Sequence, residues 1–242
     1  MDRAPSPRRC RAESSPPYAR GVRYAAVGFD LLTALLDSWS VWSDVAGGKE
    51  RGMRWHAAAQ SLLRGQRYRP FEDIVRDAAH EIGLAEDRAG ELLRRWDEAV
   101  PWPDVPPVLD LLGNVTRFIV TNCSRRLGRL AASRAGRFDL VMTAEEAGAY
   151  KPDPAPYRAA LERLALDPAQ VLFVAGSAHD VGGAARAGMD VYWANRGGAP
   201  APSDGAALRE EPDFRGLLAT VGFGPGDEGT GRRKQAGRGP RA

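Results

Sequence analysis

Four short segments of this chain carry residues that could do chemistry, and each follows or closes an apolar run or a loop at the end of one. The first is Asp30, placed directly after Ala25-Ala26-Val27-Gly28-Phe29. A carboxylate at the end of a buried strand is costly unless something pairs with it or uses it. Ligands of open α/β sheets bind at the carboxyl ends of the strands, so Asp30 stands where a nucleophile or a metal ligand would sit. The second segment is Val120-Thr121-Asn122-Cys123-Ser124, whose hydroxyl, amide and free backbone N–H groups at a strand-to-helix junction suit an anion. The third is Tyr150-Lys151-Pro152-Asp153-Pro154, in which the residue before proline is held extended and its ammonium can be aimed at a fixed target. The fourth, Val174-Ala175-Gly176-Ser177-Ala178-His179-Asp180, supplies a second carboxylate after a strand. Each has a plainer reading when taken alone: the Asp, Ser and Thr residues could cap helices, and Lys151 could be a solvated loop residue.

The elements that would position these groups follow from periodicity. Residues 23–29 read as a first strand, and the stretch from Leu36 to about Val100 reads as helical, with apolar spacings of three and four over Arg54–Leu63, Glu72–Ile82 and Ala89–Trp96. No strand candidate interrupts it, and Pro101, Pro103, Pro106 and Pro107 then punctuate the chain. After the prolines, strands at 115–121, 138–143, 171–175 and 191–194 alternate with helices at 125–135, 154–164 and 181–187, and 214–221 reads as a last helix or turn. Such alternation predicts an α/β fold, a doubly wound, Rossmann-like parallel sheet with an inserted helical cap. The expected organisation is a disordered leader over 1–22, a core from 23–38 and 102–222, a helical cap over 39–101, and a disordered basic tail over 223–242. A cap inserted just after Asp30 can close over a site at the strand ends and exclude water.

Composition narrows the classes. The chain has 242 residues, 43% hydrophobic and 27% charged, values of a soluble globular protein. Its net charge of +3 belongs to the ends: five arginines outweigh Asp2 and Glu13 in the leader, and four arginines and Lys234 outweigh Asp227 and Glu228 in the tail, which leaves the middle negative. The body therefore presents no nucleic-acid face. Cys10 and Cys123 are poorly placed for a structural disulfide, which fits a reducing compartment. No apolar run follows Arg8-Arg9 in the leader and none approaches the length of a membrane helix, so export and membrane insertion are set aside in favour of a cytoplasmic location.

The order carboxylate, hydroxyl/amide, lysine, carboxylate on successive strand ends resembles the haloacid dehalogenase superfamily. Phe29-Asp30 and Asp37-Ser38 match its first motif, Thr121-Asn122 its second, Lys151-Pro152 its third and Asp180 its fourth; Gly183-Ala184 to Ala187-Gly188-Met189 is also similar. Phosphatases of the superfamily carry a second Asp two residues after the nucleophile and a further carboxylate that helps hold Mg²⁺. Here those positions are Leu32 and Gly176, which can neither transfer a proton nor complete an octahedral oxygen site. Both departures fit the 2-haloacid dehalogenase branch, as do Trp193-Ala194-Asn195-Arg196, Tyr157 and the cap-like run Arg67-Tyr68-Arg69-Pro70-Phe71-Glu72-Asp73.

The resemblance implies hydrolysis of small 2-haloacids without metal or other cofactor, through an aspartyl ester on Asp30. Lys151 would keep Asp30 ionised and orient water, and Asp180 would assist hydrolysis. Thr121, Asn122, Ser177, Tyr157 and His56 are the substrate-binding candidates. The implied partner is a small carboxylate, with neither nucleic acid nor membrane, and a homodimer is an open option. Ala34, Ala175, Ser177 and His56 depart from the branch's pattern; His56 aligns with a cap arginine that grips leaving halide, while Arg54 points about 200° away on the helix. His80 and His179 are read as structural. Two rival readings remain at this point: a Mg²⁺-dependent small-molecule phosphatase with relaxed motifs, and a non-catalytic binding protein on the same fold.

Overall fold

The computed structural model describes residues 22–65, 68–203 and 207–224. The leader up to residue 21, Arg67 and the tail from 225 lie outside the described residues. Among the described residues there are eight strands: β1 Ala26–Phe29, β2 Leu36–Asp37, β3 Val100–Pro101, β4 Thr116–Thr121, β5 Leu140–Thr143, β6 Val171–Ala175, β7 Asp190–Ala194 and β8 Arg209–Glu211. Six of them form one parallel sheet in the order β5-β4-β1-β6-β7-β8. The chain leaves β1 towards β4 and β5 on one side, then crosses back to β6, β7 and β8 on the other. β1 is therefore where the winding reverses, the place at which such sheets open a crevice beyond the strand ends.

Burial explains why these segments are strands. Every residue of β1 and of β6 is buried, as expected for central strands covered on both faces. Gly28 is required in β1, because a Cβ there would meet the rings of Phe118 and Phe173 on the two neighbouring strands. The helices are α1 Ser38–Val45, α2 Lys49–Leu62, α3 Phe71–Glu81, α4 Glu86–Arg94, α5 Val105–Leu112, α6 Arg125–Ala135, α7 Ala144–Ala147, α8 Pro154–Leu164, α9 Ala178–Arg186 and α10 Leu217–Val221. Leu109 of α5, Leu127 of α6 and Leu217 of α10 pack on one face of the sheet with Phe29 and Ile119. Tyr157 and Leu161 of α8 and Val181 of α9 pack on the other with Phe118 and Phe173.

α1 to α4 pack in sequence against one another, and their shared core is aromatic. Trp42 meets Trp55 edge-on at 4.9 Å and Trp96 at 6.1 Å, and Trp55 Nε1 donates to the Val75 carbonyl at 2.9 Å. β2 and β3 pair antiparallel as a separate two-stranded ribbon, Leu36 with Pro101 and Asp37 with Val100, so the two ends of the helical segment lie side by side.

Several elements differ from the sequence expectation. The stretch that reads as uninterrupted helix is bounded by β2 and β3, whose two residues each are too short to show a period. α5 follows Asp104 with its prolines in the first turn, where a missing N–H costs nothing; in the sequence Pro106-Pro107 reads only as punctuation. β8 is a charged edge strand, Arg-Glu-Glu, with no apolar alternation to mark it. The first strand also begins at Ala26 rather than 23. α6, α8 and β6 occupy their expected ranges.

Candidate active site

Asp30 ends β1 and caps a single π-helical turn, Leu31–Leu35. Its Oδ2 accepts from the Thr33 and Ala34 backbone N–H groups at 3.0 and 3.2 Å and from Thr33 Oγ1 at 2.7 Å. The carboxylate is thus both cap and candidate nucleophile, the two readings that compete in the sequence. The turn itself is pinned from behind. Trp102 Nε1 donates to the Thr33 carbonyl at 3.2 Å, and the Arg196 guanidinium donates to the Ala34 carbonyl at 3.0 and 3.1 Å. Arg196 also pairs with both carboxylate oxygens of Asp104, at 2.9 and 3.0 Å, and lies 5.0 Å from the rings of Trp102 and Phe214. In the sequence Arg196 is only part of a signature; its function in fastening the Asp30 turn depends on Asp104, 92 residues away.

Lys151 closes the centre. Its Nζ lies 2.7 Å from Asp30 Oδ1 and 3.0 Å from Asp180 Oδ1. All three residues are buried, at 4%, 6% and 4% exposure respectively. Burial pushes the Asp30 carboxyl upward, but the charge and hydrogen bond of Lys151 and the bonds from Thr33 outweigh it, so the group is held below the usual carboxylate range. Burial and the nearby Asp30 charge outweigh Lys151 at Asp180, and its pKa is raised. Burial opposes the charge on Lys151, yet the two carboxylates prevail and hold it as ammonium. One lysine therefore separates two carboxylates into a stronger and a weaker acid.

The neighbouring candidates divide. Asn122 accepts from the Lys151 N–H at 2.7 Å through Oδ1 and donates to the Lys151 carbonyl at 3.1 Å through Nδ2, a two-way clamp on the lysine loop. Ser177 caps α9, accepting from the Asp180 N–H at 3.3 Å. Thr121, Asn122, Ser177 and His56 all line a cavity of about 330 Å³ whose floor includes Asp30, Lys151 and Asp180. Tyr157 does not line it. The Tyr157 hydroxyl donates to Asp180 Oδ1 at 2.9 Å from behind, within the α8–α9 core. Its place as a substrate-binding residue is corrected to one that supports Asp180.

His56 does reach the cavity from α2, edge-on to Trp42 at 5.4 Å and 3.4 Å from Gln60. Burial lowers its pKa to about 4 despite the opposing pull of Asp30, so it is a neutral imidazole at neutral pH. His179, read as structural, instead lines the cavity and accepts a hydrogen bond from Arg64 at 2.7 Å. Arg64 is a site residue that the sequence does not announce; it falls at the C-terminal end of α2, where a polar loop residue gives no periodic signal. Arg54 is exposed and does not line the cavity.

A Mg²⁺ site does not fit these residues. A Cβ at Gly176 would lie 2.7 Å from Asp30 Oδ2 and would also meet the Thr33 hydroxyl, so no acidic side chain fits there. The Lys151 ammonium already stands between the two carboxylates. Among the described residues no group of three or more His, Cys, Asp or Glu side chains is placed to hold a metal.

A family model for haloacid dehalogenase-like hydrolases matches residues 13–188. The (S)-2-haloacid dehalogenase 4A of Burkholderia cepacia is 33% identical over 135 residues, 52% of this chain and 58% of that protein. Phosphoserine phosphatase of Thermus thermophilus is 32% identical over 157 residues, 60% of this chain and 61% of that protein. The chain spans little more than half the length of these curated relatives. The crystal structure of an L-2-haloacid dehalogenase matches with a TM-score of 0.73 at 27% identity, covering 83% of this chain and 99% of that one.

Proposed function

The chain belongs to the haloacid dehalogenase-like hydrolases, and from that premise we propose that it hydrolyses the carbon–halogen bond of small 2-haloacids through an ester on Asp30, with no metal. The observation that carries this reading is Lys151 bridging Asp30 and Asp180 while Gly176 and Leu32 stand where a phosphatase needs carboxylates. The phosphatase reading is less favoured: Leu32 cannot protonate a leaving alkoxide, and phosphoryl transfer leans on metal charge that this donor set does not hold.

The residues would act in two displacements. In the first, the ionised Asp30 carboxylate attacks the carbon bearing halogen; the C–O bond forms as the carbon–halogen bond breaks, and the electron pair leaves with halide. In the second, Asp180, the weaker acid of the pair, takes a proton from water, and hydroxide attacks the Asp30 carbonyl carbon. The intermediate collapses by breaking the bond to the substrate oxygen, which takes the proton from Asp180. The products are a 2-hydroxy acid, halide and one proton released to solvent. Lys151 keeps Asp30 ionised for the attack and favours its return to the carboxylate after hydrolysis, and Asn122 fixes the loop that carries it. We read α1 to α4, residues 39–101, as the cap that excludes water, Ser177 and Thr121 as polar lining for the small carboxylate substrate, and the cytoplasm as its compartment.

The test is halide release from L-2-chloropropionate in chelator-containing buffer, with mass spectrometry of the protein during turnover. The expected result is release together with an adduct on the Asp30 peptide, both absent in Asp30→Asn. No release and no adduct at high substrate, from neutral to alkaline pH, overturns the proposal. Mg²⁺-dependent turnover of an aryl phosphate would then favour the phosphatase. Tight ligand binding that survives Asp30→Asn would favour a binding protein.

A further inference from the structure

The cavity has a charge problem that its floor cannot solve. A 2-haloacid enters as an anion, and it must approach Asp30, which is held ionised. Lys151 and Arg64 are the only lysine or arginine among the described residues that line this cavity. Lys151 is shared between two carboxylates at 2.7 and 3.0 Å, so its charge is already compensated. His56 cannot help, because burial holds it neutral above a pKa of about 4. That leaves Arg64.

Its surroundings suit a cation waiting for a ligand. Arginine can only donate, so in its 2.7 Å contact His179 Nε2 is the acceptor. No ion pair to Arg64 exists among the described residues; an imidazole is its hydrogen-bond partner. The pair spans from the end of α2 to the first turn of α9. Arg64 and His179 also line a second, outer groove of about 650 Å³ together with Arg186 and Tyr150, so the bridge stands between the outer groove and the inner cavity. Exchanging an imidazole for a carboxylate sets a full negative charge against the guanidinium, and a planar guanidinium can take a carboxylate through two parallel bonds.

We propose that Arg64 is the residue that anchors the substrate carboxylate, exchanging its bond to His179 for the incoming acid as it passes from the outer groove into the cavity. The inference rests on the dehalogenase reading for its substrate. It places a cation for the substrate carboxylate just beyond the end of α2, a role separate from the halide grip expected at the position of His56. His179 is then a positioning residue: it holds the guanidinium at the cavity through a single hydrogen bond, which the incoming carboxylate replaces.

The experiment compares Arg64→Ala, Arg64→Lys and His179→Gln with wild type in the full chain. Halide release from L-2-chloropropionate is measured over a range of substrate concentration, and calorimetric binding of the same compound is measured in an Asp30→Asn background. For Arg64→Ala the expected result is that KM rises by a factor of about ten or more while kcat changes less, matched by a loss of binding of similar size. That is about 1.4 kcal/mol or more. Arg64→Lys should recover part of the loss by restoring charge without the planar fork, and His179→Gln should change KM less than Arg64→Ala does. Unchanged KM and unchanged binding in Arg64→Ala, with wild type active, overturn the assignment and leave the dehalogenase reading intact. If wild type releases no halide, the dehalogenase reading fails by itself. Binding of 2-chloropropionate that disappears in Arg64→Ala and returns in Arg64→Lys would still support the anchor, and binding indifferent to Arg64, or absent from wild type, would end it.

Discussion

Replacing His56 by glutamine should remove a pH-dependent weakness of the fold. His56 has a pKa of about 4 in the folded chain against 6.5 for an unperturbed histidine, because burial beside Trp42 disfavours the imidazolium. As pH falls below 6.5 the unfolded chain takes up a proton that the folded chain refuses, so stability is fully present above 6.5 and drains as pH falls towards 4. The shift from 6.5 to about 4 sets an upper limit of roughly 3 kcal/mol at about 1.36 kcal/mol per unit. Between about pH 7.5 and about pH 5.0 the loss from this one group is about 2 kcal/mol. For a chain of this size that corresponds to roughly 4–8 °C in Tm. Urea unfolding of wild type and His56→Gln at the two pH values is the assay. Asp30 and Asp180 titrate in both proteins and largely cancel in the comparison, so the wild type should lose about 2 kcal/mol more than the variant. Equal losses in the two proteins, to within roughly 0.5 kcal/mol of measurement error, would refute the claim that His56 is held neutral, and with it one leg of the case for Arg64.

Two further outcomes follow from the centre. Lys151→Met leaves Asp30 and Asp180 buried without their shared cation, and should abolish halide release and cost roughly 3–5 kcal/mol of stability at neutral pH; the deficit should shrink as pH falls and the carboxylates protonate, and a variant as stable as wild type at neutral pH would contradict the geometry. Thr33→Val removes the 2.7 Å hydroxyl bond to ionised Asp30, which raises the carboxyl pKa, so the acidic limb of the kcat/KM profile should move to higher pH; an unmoved limb would show that the backbone donors of Thr33 and Ala34 alone hold the charge.

The strand-end residues are legible in the sequence because their neighbours announce them. Asp30 and Asp180 stand out against apolar runs, and proline marks Lys151, so the three groups that meet at the centre can be named from spacing and motif order. What the residue types do not show is direction. Asn122 is expected to face substrate, yet both of its polar atoms turn to the Lys151 backbone. Tyr157 lies on the helix face that backs Asp180 rather than the cavity. Arg64 carries no pattern, because a single arginine at a helix end is as ordinary in sequence as any solvated residue. Its position matters only once α2 is folded over α9, a contact across 115 residues. The same holds for Arg196, whose partners Asp104, Ala34 and Phe214 come from three separate segments.

Gly176 shows how one small residue separates two chemistries on one scaffold. With no side chain at that position, the Thr33 hydroxyl and the Ala34 N–H can close on Asp30 Oδ2 from the side where an acidic residue would otherwise project. The opposite oxygen, Oδ1, is then free to take Lys151, whose ammonium also reaches Asp180. A fixed ammonium does part of what a divalent cation would do: it keeps the nucleophile ionised and holds a second carboxylate nearby. It does so with a single charge, and without open coordination positions for phosphoryl oxygens. That is enough when the leaving group departs as a stable anion needing no proton. It is too little when charge builds on a transferring phosphoryl group. The absence of a carboxylate at Leu32 agrees with the same division, since halide, unlike alkoxide, leaves without an acid. Gly176 and Leu32 are far apart in sequence, yet both departures fit the proposed cleavage of a bond to halogen around the same Lys151.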